Sequence, residues 1–187
     1  MKPLWSEEVR ADLVIVGGGA AGLSVALGAG GARVHLLARQ PLGEGVATGL
    51  AQGGIAAAVG VEDSPDLHLA DTLAAAAGLA EPAAVRTLVE AAPAAIARLI
   101  AAGARFDRDA DGSLALTREA AHSRRRVLHA EGDATGRELL RALAAAVTRR
   151  PGVHLFNGAT ALALLRAGER VCGLLARHPD GRLVLHR

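Results

Sequence analysis

A run of β-branched and leucine residues, Asp12 to Val16, stops abruptly at three consecutive glycines, and Gly17, Gly19 and Gly22 then fall in the pattern G-x-G-x-x-G. Residues from Ala20 to about Ala29 read as a helix, and Val34 to Leu37 read as a second strand. The opening forty residues therefore spell strand, glycine turn, helix, strand, which is the start of a parallel, doubly wound α/β sheet. The reasons are steric and electrostatic. Gly17 permits the tight turn, Gly19 lets the backbone approach a pyrophosphate, and Gly22 lets the helix pack close to the sheet. The whole turn from Gly17 to Gly22, with Gly18, Ala20 and Ala21, would hold the pyrophosphate. The helix N-terminus offers free amides and a partial positive charge to phosphates. A glycine turn without a ligand is the bland reading, and the strand-turn-helix context favours dinucleotide binding.

The same stretch must be weighed as a membrane span, because Leu13 to Ala32 is charge-free over a bilayer's length. Its seven glycines argue against it, since each weakens a helix. Glu7, Glu8 and Asp12 also stand where a signal peptide would be positive. Half of the chain is apolar, yet aromatics make up only 2%, so the core is expected to be thin and aliphatic. A net charge of +2, with no aromatics interleaved among the arginines, does not suggest a nucleic-acid partner. The single Cys172 excludes an internal disulfide, and no His or Cys spacing suggests a metal. A cytoplasmic setting is the plain expectation.

Beyond the second strand, Gln40 to Gly54 reads as an extended glycine-rich loop. Ser64-Pro65 starts a helix that should reach about Gly78; Pro82 opens another, which Pro93 should break or kink and Gly103 should end. Asp111-Gly112 marks a turn between short strands near Phe106 and Leu114. A polar stretch, Thr117 to Thr135, precedes a helix over about Gly136 to Arg149. Apolar runs at Val153–Phe156, Ala161–Leu165, Val171–Ala176 and Leu183–Leu185 follow, and the last three read as an antiparallel meander.

Which dinucleotide binds is left open by the glycine loop. The acid that usually ends the second strand is absent, and Ala38-Arg39-Gln40 stands there instead. Arg39 suits a 2′-phosphate of NADPH, or equally the adenosine side of FAD.

Three further segments bear on the choice. They are Thr48-Gly49-Leu50-Ala51-Gln52-Gly53-Gly54-Ile55-Ala56-Ala57-Ala58, then Leu116-Thr117-Arg118-Glu119-Ala120-Ala121-His122-Ser123-Arg124-Arg125-Arg126-Val127-Leu128-His129-Ala130, and Gly132-Asp133-Ala134-Thr135-Gly136-Arg137. In order and spacing they resemble the L-aspartate oxidases of the succinate dehydrogenase/fumarate reductase flavoprotein family. The resemblance implies a Rossmann-like FAD-binding domain with a parallel sheet plus an antiparallel β-meander, incomplete at its C-terminus. Residues 1–187 would be the N-terminal part of that domain, with the capping and C-terminal helical domains absent. It also implies FAD as cofactor and oxidation of L-aspartate to iminoaspartate. Oxygen or fumarate would be the acceptor, in de novo NAD biosynthesis, with quinolinate synthase as the downstream enzyme.

By the same resemblance Thr48, Ala51, Gln52, Gly53 and Gly54 would cradle the flavin, where glycines let amides approach a flat ring and Gln52 and Thr48 supply hydrogen bonds. Glu119 would meet the ammonium group of aspartate, and His122 and Ser123 would lie in the flavin and substrate neighbourhood. The bland alternatives are a solvated loop acid and packing roles. Arg118 is placed to pair with Glu119, Arg124 to Arg126 read as a solvated structural face, and His129 as a capping or core residue. His35, His68, His154, His178 and His186 show no partner pattern. The family commonly has Gly-Gly where this chain has Ala120-Ala121, and a methyl group there is strained if φ is positive. Two alternatives stand beside the oxidase reading: a fumarate reductase or succinate dehydrogenase flavoprotein subunit, and a non-catalytic dinucleotide-binding remnant.

Overall fold

The computed structural model describes residues 4–187. In chain order the first elements are β1 (Glu7–Val9), β2 (Leu13–Val16), α1 (Ala20–Gly28), β3 (Val34–Ala38) and a single 3-10 turn at Ala47–Leu50. Next come β4 (Ile55–Ala56), α2 (Pro65–Ala76), α3 (Pro82–Ala101), β5 (Leu116–Thr117) and β6 (Val127–Leu128). The chain ends with α4 (Thr135–Thr148), β7 (Val153–Asn157), β8 (Thr160–Ala167), β9 (Arg170–Arg177) and β10 (Leu183–His186). It divides into two compact units, Met1–Gly49 with Leu143–Arg187, and Leu50–Ala142.

The first unit holds the parallel sheet β2-β3-β7 and the sheet β1-β10-β9-β8. β3 (Val-His-Leu-Leu-Ala) is the central strand of the parallel sheet, buried along its whole length, His35 included. The expected meander is present, with β8 against β9 and β9 against β10, all antiparallel. Sequence reading missed β1, which pairs in parallel with β10, Glu7 opposite Val184. Three residues carry too little periodicity to announce a strand whose partner lies at the other end of the chain. Leu37, Ala159, Leu174 and Ala176 form the core between the two sheets, with Val14 and Phe156 packed on it.

Histidines taken as background share that interior. His35 Nδ1 lies 3.1 Å from His186 Nδ1, and His186 Nε2 lies 3.1 Å from His178 Nε2, a row of three rings edged by Phe156. Their partners are 151 and 8 residues away, so only the fold brings them together. Burial, followed by the neighbouring His35 and His178, pushes His186 down to about 4. Burial, then His154 and Arg33, lowers His35 as well.

In the second unit α2 begins as expected, with Ser64 Oγ accepting from Leu67 N at 3.2 Å and proline at the first helical position. α3 corrects the expectation of a break, because it runs unbroken through Pro93. Val85, Val89 and Ile96 stay buried on either side of that residue, so tertiary burial outweighs the lost backbone bond. The strands expected near Phe106 and Leu114 reduce to one bridge, Arg108 with Leu114. The stretch read as merely polar contains β6, the middle strand of the sheet β4-β6-β5. Val127 and Leu128 are buried there, and Leu128 joins Ala57, Ile96, Phe106 and Ala142 in the unit's core. Glu138 is buried on α4, where Arg141 binds it at 2.6 Å and it accepts from Arg105 N at 2.7 Å. Among the described residues no helix is long and apolar enough to cross a membrane. The charge-free stretch is instead a strand, a turn and a nine-residue helix.

Candidate functional site

The glycine turn between β2 and α1 has the geometry its spacing requires. Gly17 sits at φ +108°, a region open to glycine, and a Cβ on Gly22 would come within 2.0 Å of the Gly17 carbonyl oxygen. No residue but glycine fits at 22 without moving backbone. The first amides of α1 have no acceptor inside the helix. Gly19, at the cap position, supplies no side chain; Thr48 does so from 28 residues away, its Oγ1 accepting from Ala20 N at 3.1 Å. Thr48 thus stands at the mouth of the helix, beside Ala20, with Gly19 close enough that a Cβ would meet Oγ1 at 3.3 Å. The next amides, of Ala21 and Gly22, carry small or no side chains. Beside the turn lies a cavity of about 550 Å³, lined by Gly17, Gly18, Ala38, Arg39, Gln40 and Glu44. Arg39 is exposed at the end of β3, as its place in the sequence predicts.

In the second unit Ala51 and Gln52 precede Gly53 and Gly54 on the approach to β4. Ala51 is anchored, since its carbonyl oxygen accepts from Gly136 N at 3.0 Å, which ties two of the sequence segments together. Gln52 is exposed and makes no side-chain hydrogen bond among the described residues. Gly53 has open space where a Cβ would stand, whereas one on Gly54 would meet Val127 Cγ1 at 2.3 Å, Leu128 O at 2.7 Å and His129 Cε1 at 2.9 Å. The two glycines thus differ: one leaves a backbone face open, the other lets that backbone lie on β6.

The loop from Thr117 to Arg126 carries Glu119 and His122. Glu119 keeps about half of its side chain exposed, at 52%, and its partner is not Arg118: His129 Nε2 lies 3.2 Å from Glu119 Oε1. His122 is half buried, edge-on to His68, with its Nδ1 3.4 Å from an Nη1 of Arg126. Ala121 adopts φ +68°, so the residue read as a departure from Gly-Gly does sit in the left-handed region. Ala120 does not share that conformation.

The arginine run splits. Arg124 and Arg125 are exposed, as expected, but Arg126 is completely buried, which corrects the reading of the run as one solvated face. Its fork clasps Asp63 through Nε and Nη2, both at 2.8 Å, and its Nη1 donates to Asp71 at 2.7 Å. Asp71 also accepts from the backbone amide of Ser123 at 2.7 Å and from its hydroxyl at 2.8 Å. Burial pushes the Asp71 carboxyl up, but the two Ser123 bonds and the Arg126 guanidinium outweigh it and hold it below the usual carboxylate range. For His68, burial comes first and Arg126 second, and both lower it. Ser123 is therefore a brace for the loop, and Asp63, Asp71 and Arg126 are the residues that sequence reading missed. Beside this brace is a cavity of about 1010 Å³, lined among others by Thr117, Arg118, Ser123, Arg124 and Arg125.

His129 was missed as well, although a signal existed. Thr117 pairs with Val127 across β5 and β6, which puts His129 diagonally opposite Thr117 on the same face. Its Nε2 lies 3.1 Å from Thr117 Oγ1.

The profile of the family described as FAD binding domain matches residues 12–185. An L-aspartate oxidase of Mesorhizobium japonicum is 53% identical over 87% of this chain and 32% of its own length. One from Streptomyces coelicolor is 49% identical over 89% of this chain and 28% of its own. A solved structure of an Escherichia coli quinol fumarate reductase superposes with a TM-score of 0.90 at 31% identity, over 97% of this chain and 32% of that one. The chain thus spans about a third of the length of the curated relatives it matches.

Proposed function

We infer, for a chain that belongs to the FAD-binding domain family, that it is the FAD-holding part of an L-aspartate oxidase. Residues 1–187 are the N-terminal part of the FAD-binding domain, and a capping domain and a C-terminal helical domain are supplied by a longer protein. The observation that carries the reading is the half-exposed Glu119, a carboxylate whose partner is a histidine, in a chain 53% identical to an L-aspartate oxidase.

The residues present fit the cofactor. The turn at Gly17 to Gly22 admits no added methyl group at 22, and the open amides of α1 suit a diphosphate. Gly17, Gly18, Gly19, Ala20, Ala21 and Gly22 would hold the pyrophosphate, and Thr48 would close the mouth beside Ala20. Arg39, on the neighbouring cavity, would hold the adenosine side. Ala51, Gln52, Gly53 and Gly54 would take the flavin ring, with Gly53 offering bare backbone and Gln52 a free amide. When bound, FAD supplies the two-electron acceptor for oxidation of the Cα–N bond of aspartate. Glu119 would bind the substrate ammonium and so orient Cα, and His122, held by Arg126 and His68, would supply a polar wall to the substrate site. Oxygen or fumarate would then regenerate the oxidised cofactor. Quinolinate synthase would consume the iminoaspartate, and the setting would be the cytoplasm.

The test is direct. The longer protein is expected to purify with flavin absorbance that bleaches on anaerobic addition of L-aspartate and not of succinate. Bleaching by succinate alone would make it a fumarate reductase or succinate dehydrogenase type, and a protein without flavin would leave the reading without support. Titration of FAD against the 187-residue chain reports separately whether this part holds the cofactor by itself.

A further inference from the structure

We infer that His129 is the positioning residue of Glu119, holding its carboxylate as an acceptor for the ammonium group of an α-amino dicarboxylate. This rests on the assignment of Glu119 to the substrate and adds the device that aims it.

The first observation concerns charge. Glu119 is set in a loop with four arginines, yet none of them is its ion-pair partner among the described residues. Arg126 is spent on Asp63 and Asp71, and Arg124 donates to the carbonyl oxygens of Glu62 and Ser123. The acid meets an imidazole instead. A carboxylate oxygen can only accept, so a ring nitrogen 3.2 Å from Glu119 Oε1 is attracted to it in the tautomer that carries the hydrogen on Nε2, and we assign the hydrogen there. The contact engages Oε1 and leaves the second oxygen of Glu119 for a cation.

The second observation concerns direction. The same Nε2 lies 3.1 Å from Thr117 Oγ1, and that hydroxyl donates to Val127 O at 3.4 Å, so its oxygen is free to accept. Nε2 thus lies between two oxygens, 3.2 Å from Glu119 Oε1 and 3.1 Å from Thr117 Oγ1. The ring lies over the bare backbone of Gly54, in space that an added Cβ would take, since that atom would come within 2.9 Å of Cε1. Gly54, β6 and Thr117 fix the ring, and the ring fixes the acid. A dicarboxylate without an amine has no donor to offer this oxygen and meets only its charge, so the device selects for the ammonium.

The experiment compares His129→Phe and His129→Gln in the longer flavoprotein. Phe keeps a flat ring and loses the donor; Gln restores an N–H at similar reach. His129→Phe should raise the KM for aspartate about tenfold, the order of one hydrogen bond to a charged group, with kcat within about twofold. His129→Gln should recover most of that loss, and the inhibition constant of succinate should not move in either. A merely structural role for His129 would shift the succinate and aspartate constants together, and that result, or an unchanged KM, overturns the inference. Wild-type protein with no aspartate turnover would instead defeat the functional reading. The contact itself is read in the 187-residue chain by imidazole NMR. Glu119→Ala should move the His129 Nε2–H resonance, and a resonance that stays put overturns the inference whatever the assay shows.

Discussion

The two units bury polar groups in opposite ways. In the first, three histidines touch ring to ring, and no carboxylate is among the groups that shift His35 or His186. In the second, a buried guanidinium is clasped by two aspartates. A neutral row of imidazoles holds only while it is not protonated, whereas a compensated ion cluster holds until its carboxylates are neutralised. The difference predicts which substitution hurts each unit and at which pH each gives way.

Arg126→Met should show the largest effect. It leaves Asp63 and Asp71 facing each other with no cation, and removing one partner of a buried ion pair costs about 3–5 kcal/mol. Urea denaturation should show the midpoint falling accordingly, with protection in hydrogen exchange lost first around Ser123. A loss under about 1 kcal/mol would mean that the cluster is solvated and that the contrast between the units is false.

Acidification should separate the units next. His186 is lowered from 6.5 to about 4, so the unfolded chain takes up the proton first. Its contribution is whole above pH 6.5, declines as the pH falls towards 4, and is gone below that. The shift is worth about 3 kcal/mol. Asp71 is lowered from 3.8, so its contribution is whole above that pH and is lost only as the pH falls through its folded value. Hydrogen exchange followed from pH 7 to pH 3 should therefore show β3, β9 and β10 losing protection before the loop at Ser123. Simultaneous loss, or the reverse order, would contradict the contrast.

The two units also differ in how much their sequences reveal. Gly17 and Gly22 are five residues apart and act through backbone alone, so their spacing announces both the turn and the close packing of α1 on β2. The meander was equally legible, because each strand pairs with the next in the chain. The loop of the second unit was not. Arg126 meets Asp63 and Asp71 across 63 and 55 residues, and nothing in an arginine run marks which member will turn inward. His129 lay between these extremes, visible only once Leu116-Thr117 and Val127-Leu128 are taken as a hairpin rather than as part of a polar stretch. Local rules reach the backbone site; the side-chain site depends on long-range pairing.

Ala121 offers a test in the stabilising direction. Its φ of +68° costs an L-residue about 1–2 kcal/mol, whereas glycine adopts it freely. Ala121→Gly also loosens the unfolded chain, which offsets part of the gain. A rise in stability of about 1 kcal/mol is expected, read as a higher thermal midpoint. A fall would mean that the methyl group makes contacts that outweigh the strain.

The smallest effect should come from Thr48→Val, which probes the legible unit at the one point where it depends on a distant side chain. Valine keeps the shape and removes the acceptor for Ala20 N, so α1 loses the cap that Gly19 cannot provide. Loss of an N-cap acceptor costs about 1 kcal/mol. Because a dinucleotide phosphate would take the place of the lost oxygen at the helix mouth, the deficit should shrink when FAD is bound. The measurement is the difference in thermal midpoint between the variant and the natural chain, with and without FAD. A deficit equal in both would put Thr48 outside the phosphate's reach and move it from the cofactor site to the scaffold.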